Sequence, residues 1–191
     1  MLQKIKISYK SLIQKFHPCT PDFIKNVCHG NCCFTDNGLK NCHIAIVPSD
    51  FRKLEKYNIK IKNGLLQTDK RCIFQDNDGL CKIHETNDYP TFSCRIPPLT
   101  LNKNNILIVE NRWRNFKCFR VKEGKIPVYF SHRKSLEAIF GEEKTKFIIN
   151  WLETKKTDLE IDIDDEIYQE MMKKTEILYQ NLFNKNFIYK H

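Results

Sequence analysis

No stretch of these 191 residues is long enough or apolar enough to span a bilayer. The opening run MLQKIKISYKSLIQKF scatters lysines where a secretory signal would place a clean apolar segment, so a leader is not expected. There is no internal repeat and no low-complexity tract. Disulfide pairing also lacks its usual arithmetic. Nine cysteines are present, an odd number, and without a secretory leader the chain is expected in the reducing cytoplasm, where thiols stay free. What is present suffices for a folded core, since hydrophobic residues make up 41% and aromatics 12%.

All nine cysteines (Cys19, Cys28, Cys32, Cys33, Cys42, Cys72, Cys81, Cys94 and Cys118) precede residue 119. Cysteines clustered in this way in a reducing compartment point to metal binding or redox chemistry rather than to small buried hydrophobes. The charge is split along the same line. Residues 131–191 hold 10 Lys and Arg against 12 Asp and Glu, a net of −2, which leaves +11 of the total +9 on residues 1–130. A basic half admits nucleic acid as a partner. The preferred account is local, because a zinc ion bound by four thiolates is a dianion and calls for cations nearby.

The local patterns sort into two halves. Residues 1–17 read as strand or short helix. The segment HIAIV (43–47) reads as a strand, and Ser49 is expected to cap a helix over Asp50–Tyr57. IKIK-NG-LLQT (59–68) reads as a hairpin, since Asn-Gly supplies both positive-φ positions of a tight turn. RCIFQ and LCKIH, flanking Asp76-Asn77-Asp78-Gly79, read as a second hairpin that draws Cys72 and Cys81 together. Asp76 and Asp78 resemble a cation-binding pair, although a plain turn explains them more simply. ILIVE (106–110) and the alternating RWRNFKCFRV (112–121) read as strands. Trp113 and Phe116 among arginines could then form a basic aromatic surface for nucleic acid, but a two-faced strand with its basic side in solvent is the simpler reading. Beyond residue 130 the pattern becomes helical: one helix from Ser131 to about Phe140, one from Glu142 to about Thr154, an acidic connector TDLEIDIDDE, and one from about Asp164 to Phe187 with Ile167, Met171, Leu178 and Leu182 as its apolar stripe.

Reading from Cys28, the order is Cys-His-Gly-Asn-Cys-Cys, then Cys72, Cys81, Cys94 and Cys118. Gly30 permits the turn that aims Cys28 and Cys32 at one centre. Adjacent Cys32 and Cys33 either sit in a loop or serve different centres. Three positions after Cys81, His84 is a potential ligand, though on a strand it would face away from Cys81; His29 reads as a loop residue. The succession CHGNCC, PSDFRKL, RCIFQDNDGLCKIHE and YPTFSCRIPP resembles the YkgJ-type cysteine-cluster family, described as zinc- or iron-chelating domains. Asp50, Cys72, Phe74, Gly79, Cys81, Ile83, Pro90, Cys94 and Pro97 match in order over roughly residues 19 to 120, and Cys118 resembles a late cysteine of that family. Cys19 lies farther upstream than the family's opening cysteine, and Cys42 has no counterpart. A more distant resemblance is to flagellin lysine N-methylases, which implies an iron–sulfur cluster with S-adenosylmethionine, although no recognisable site for that molecule is present.

Together these readings give an α+β fold: a small cysteine-rich, metal-organised domain of short hairpins and loops over residues 1–130, with a C-terminal helical extension over 131–191 packed on it. The expected function is metal binding, by Zn²⁺ or iron, the latter as a 4Fe–4S cluster. The expected ligands are Cys19, Cys28, Cys32, Cys33, Cys72, Cys81, Cys94 and Cys118, enough for two four-ligand sites. An iron–sulfur protein-modifying enzyme of methyltransferase type and a nucleic-acid-binding protein with structural zinc are the alternatives. The expected partners are the metal and a protein partner or substrate, with no membrane.

Overall fold

The computed structural model describes residues 1–33, 44–55, 57–67, 72–82 and 91–188. Cys42 and His84 lie outside these residues, as do Ile83 and Pro90, and so does the side chain of Cys33. The strands are β1 (Leu2–Ile7), β2 (Lys15–Phe16), β3 (Ile61–Lys62), β4 (Leu65–Leu66), β5 (Leu99–Leu101), β6 (Ile106–Val109), β7 (Ile126–Pro127) and β8 (Leu159–Asp164). The helices are α1 (Tyr9–Leu12), α2 (Pro21–Phe23), α3 (Phe51–Glu55), α4 (Phe92–Arg95), α5 (Lys117–Arg120), α6 (Val128–Ser131), α7 (Arg133–Thr154) and α8 (Asp165–Ile188). The chain is thus α+β. Among the described residues no helix is long and apolar enough to cross a membrane.

The principal sheet has the order β5-β6-β1-β8, with β1 parallel to β6 and antiparallel to β8. β1 alternates as a one-sided strand should: Ile5 and Ile7 are buried and Lys4 is exposed. The acidic connector expected over 157–166 is instead β8. Its Leu159 and Ile163 are buried, and the acids alternate with them in period two. In the register, Lys4 stands opposite Asp162 and Lys6 opposite Glu160. Unlike charges across a ladder each contribute about 0.2–1 kcal/mol, which selects this partner for β1.

Because β8 pairs with β1, residues 131–191 supply a strand of the principal sheet as well as helices. A single core joins Ile5, Ile7 and Leu107 to Leu136, Ile148, Ile163 and Met171. The helices of that segment follow the sequence closely. Gly141, at φ 76 and ψ 170, breaks α7 between the two expected halves, and α8 begins at the expected acidic turn.

RWRNFKCFRV is not a strand. Asn111–Asn115 form a 3-10 turn and Lys117–Arg120 form α5. Trp113 and Phe116 are buried with their rings packed 4.9 Å apart, so the alternation reflects a tight helical turn over the core and leaves no aromatic face for base stacking. The Asn-Gly hairpin is as expected: β3 pairs with β4, and Asn63 (φ 52) and Gly64 (φ 72) form its turn. The second hairpin shortens to one bridge, Gln75 to Cys81, around a turn in which Asp76 Oδ1 accepts the amides of Asp78 and Leu80. Among the described residues of HIAIV, Ala45 alone is bridged, to Leu65. Pro48–Asp50 is a 3-10 turn leading into α3, and it is Asp50 rather than Ser49 whose carboxylate accepts the backbone amide before it, that of Val47.

The sheet also places the cysteines. β1 and β6 end on the same side, β5 starts there, and β8 starts there opposite Ile7. The long excursion from residue 8 to 98 and the segment after Val109 therefore both leave from one end of the sheet. Of the described residues in that excursion, Leu12, Phe16, Phe23, Val47, Phe92 and Ile96 join the main core, while Ile46 with Leu54, Leu66, Cys72 and Phe74, and Ala45 with Leu65 against Ile177 and Leu178 of α8, form small clusters apart from it.

Candidate metal centre

Four cysteines reach one side of this end by four routes. Cys19 follows β2, and His17 N–H donates to Cys118 O at 2.8 Å, laying that strand's exit along α5. Cys28 ends a π-helical turn, Ile24–Cys28, that continues α2; such turns often mark functional positions. His29 (φ 51) and Gly30 (φ 60) then reverse the chain into the 3-10 turn that carries Cys32. Cys118 sits on α5, held against the π turn by Lys117 Nζ, which donates to Val27 O at 2.7 Å.

These thiols feel one another. Burial pushes the Cys19 thiol well up, and the charges of Cys32, Cys118 and Cys28 raise it further. Cys118 is pushed up to about 12 by burial and then by Cys32 and Cys28. Cys28 is raised by burial against opposing hydrogen bonds from the backbone of Gly30 and Asn31, and the Lys117 ammonium also favours its thiolate. Amides aimed at a sulfur favour the thiolate, which is the metal-binding form.

A second group gathers Cys72, Cys81 and Cys94. Cys72 is raised by burial, with a backbone hydrogen bond from Phe74 opposing it and the charges of Cys81 and Cys32 adding to it. Cys94, on α4, is pushed up to about 12 by burial; the Thr91 hydrogen bond opposes this, and Cys72, Cys81 and Asp50 reinforce it. Thr91 caps α4 by accepting the Cys94 amide at 3.1 Å, and its hydroxyl donates to Cys94 Sγ at 2.9 Å. Asp50, buried, accepts the Phe92 amide at 2.6 Å and the Val47 amide at 3.3 Å, and so ties the start of α4 to the segment before α3. Burial moves the Asp50 carboxyl up to about 6 despite those two bonds.

One amide side chain joins the two groups. Gln75 Nε2 lies within hydrogen-bond reach of His29 O (3.3 Å), Gly30 O (3.2 Å) and Gly79 O (3.0 Å). The two turns are in backbone contact at this point. A Cβ on Gly79 would lie 2.6 Å from the carbonyl carbon of His29, and one on Gly30 would strike Gly79 O and the Gln75 amide. Lys25 and Asp78 close the same seam with an ion pair at 3.1 Å. Cys32, next to this seam, is felt electrostatically by thiols of both groups.

Seven of the eight cysteines named from the sequence have described side chains; none is in a disulfide, and charge effects reach from one to another within and between the two groups. The eighth, Cys33, shares the 3-10 turn of Cys32. Among the described residues no three His, Cys, Asp or Glu side chains are gathered closely enough to hold an ion as they stand. The donor set itself, soft thiolates with amide donors and nearby ammonium groups, suits zinc or iron. Gln75, Thr91 and His132 were missed in the sequence. Thr91 had a local signal, a capping residue three positions before Cys94. Gln75 and His132 had none, since each acts on residues far away in the chain. His132 stands 3.8 Å from Cys19 Sγ across 113 positions of sequence.

No protein-family model, no curated protein and no solved structure matches this chain.

Proposed function

We infer that this protein binds metal, as zinc or an iron–sulfur centre, through Cys19, Cys28, Cys32, Cys33, Cys72, Cys81, Cys94 and Cys118. The observation that carries the reading is convergence. Cysteines from five separate stretches of chain lead to one end of the sheet, the described ones outside any disulfide and near enough to raise one another's thiol pKa.

Packing supports the same reading. The stretch that carries Cys72 and Cys81 is held by a small cluster apart from the main core, in which each buried Leu or Ile contributes about 1.5–3 kcal/mol. Metal–thiolate bonds would add cohesion there, as they do in small metal domains. The YkgJ-type resemblance and the methyltransferase alternative stand as expectations of the sequence.

The test is elemental analysis of anaerobically purified protein, with acid-labile sulfide measured alongside. Iron with sulfide, or zinc at more than one equivalent per chain, is the expected result. Cys28→Ser and Cys72→Ser should each lower the metal content. Protein with neither metal and with its cysteines paired as disulfides would refute the reading.

A further inference from the structure

Positive charge gathers around α5. From Asn111 to Phe130 six Lys and Arg stand against a single acid, Glu123, and the chain holds no Asp or Glu before Asp22. Arg112 is paired with Glu110 at 2.7 Å. Arg114, Lys117, Arg120 and Lys122 are exposed, and Lys125 is half-buried. Among the described residues none of these five is in an ion pair.

Their contacts bring them together, and the acceptors are neutral. Arg114 Nε donates to Gln14 Oε1 at 3.2 Å, next to β2, and Arg120 Nη2 donates to Asn115 Oδ1 at 3.2 Å. Lys125 Nζ donates to Phe119 O at 3.0 Å and lies 5.4 Å over the Phe119 ring. β2 pairs with β7, Lys15 opposite Pro127, and a Cβ on Gly124 would strike the His17 ring. The loop 122–125 therefore lies along the exit of β2 and beside α5. A guanidinium carries five N–H donors, and Arg114 and Arg120 each use one of them on an amide oxygen, so each keeps a planar fork for an anion.

Bound metal would not use up this charge. Two zinc ions with eight thiolates carry −4 against the +11 of residues 1–130, which leaves +7. Lys117 does serve the cysteine turns, through Val27 O. Arg114, Arg120 and Lys125 hold amide and carbonyl oxygens instead. A protein partner calls for an apolar centre and a bilayer for an apolar face. On this turn Trp113 and Phe116 are buried, and Ile126, exposed beside Lys125, is one apolar side chain against five cations. We propose that Arg114, Arg120, Lys122 and Lys125, with Lys117 beside them, form a surface that binds the phosphodiester backbone of nucleic acid without reading its sequence. Phosphate takes the guanidinium forks in bidentate fashion, and the buried rings leave the bases unstacked. The surface stands independently of the metal-binding reading.

The test is fluorescence anisotropy of a labelled, mixed-sequence DNA duplex titrated with the full chain as purified, repeated over a range of salt. The logarithm of the wild-type affinity should fall against the logarithm of salt concentration with a slope of about −3 to −4, as four neutralised phosphates require; that is a loss of about a hundredfold between 50 and 200 mM. Arg114→Gln, Arg120→Gln, Lys122→Gln and Lys125→Gln combined should bind at least about tenfold more weakly at low salt and lose most of the slope. Lys146→Gln removes an exposed lysine of α7 already paired with Glu142 and Glu143, and should change neither. Circular dichroism and metal content report whether the combined variant is folded. If it is not, Lys122→Gln and Arg114→Gln singly carry the test, each lowering the slope by about one. Wild type without salt-dependent binding, or variants with wild-type affinity and slope, would overturn the proposal. Tighter binding of polyglutamate, or of phosphatidylserine vesicles, than of the duplex at the same salt would assign the surface to an acidic protein or a lipid and overturn it as well.

Discussion

Replacing Gly79 by Ala should drive a wedge between the two cysteine turns. Gly79 has φ 85, a region that costs an L residue about 1–2 kcal/mol. The added methyl would also meet backbone, with the carbonyl carbon of His29 at 2.6 Å and its oxygen at 2.7 Å. Backbone cannot swing aside as a side-chain tip can, so overpacking of about 1–3 kcal/mol adds to the strain. The total, about 2–5 kcal/mol, falls on the contact that holds Cys28 and Cys32 against Cys72 and Cys81. Gly141→Ala supplies the control. That residue is also at positive φ, at about 1–3 kcal/mol for any other residue, but a Cβ there meets nothing within 4 Å, and it lies in α7. Urea unfolding measures the stability of each variant, and a chelator challenge followed by elemental analysis measures how firmly metal is held. Both variants should be destabilised, Gly79→Ala the more, and Gly79→Ala alone should release metal faster than wild type. Equal metal retention in the two variants would refute the claim that this seam assembles the centre.

Gln75→Leu keeps the side-chain volume and removes the amide that reaches three carbonyls of the two turns; at about 0.5–1.5 kcal/mol per bond it should destabilise by roughly 2 kcal/mol and speed metal loss to a chelator, and unchanged loss would count against the clamp. Stripping the metal should leave the sheet and α7 resistant to limited proteolysis while exposing cleavage sites between residues 17 and 98; an identical cleavage pattern with and without metal would show that the excursion does not depend on it. Lys174 is fully buried, donates to Leu99 O at 3.2 Å, and is brought down by burial to about 8 from 10.5. The unfolded lysine therefore keeps its proton between pH 8 and 10.5 where the folded one has lost it, so its contribution to stability rises with pH across that window by roughly 3 kcal/mol. Subtracting the pH profile of Lys174→Met from that of wild type cancels the thiols common to both, and a flat difference would contradict this environment for Lys174.

Where physics acts over a few residues, the chain could be read directly. The Asn63-Gly64 turn, the Asp76 turn, the break at Gly141 and the start of α8 each depend on neighbours in sequence, and each is where the residues put it. The nine cysteines, their odd number and their crowding before residue 119 came from the sequence alone, together with the expectation of metal. RWRNFKCFRV misleads because alternation over so short a span fits a strand and equally fits a 3-10 turn whose Trp113 and Phe116 drop into a core supplied by other elements. The strand in TDLEIDIDDE hides because its acids look like a solvated linker until β1 offers Lys4 and Lys6 across the ladder, more than 150 positions away. Only the tertiary structure decided which cysteine-bearing turns lie beside one another. Sheet order sends residues 8–98 and the chain after Val109 out of the same end, and Gln75, Asp50 and Thr91 then fix which turns touch. His132 meets Cys19 for the same reason: pairing of β2 with β7 closes a loop that no local pattern encodes.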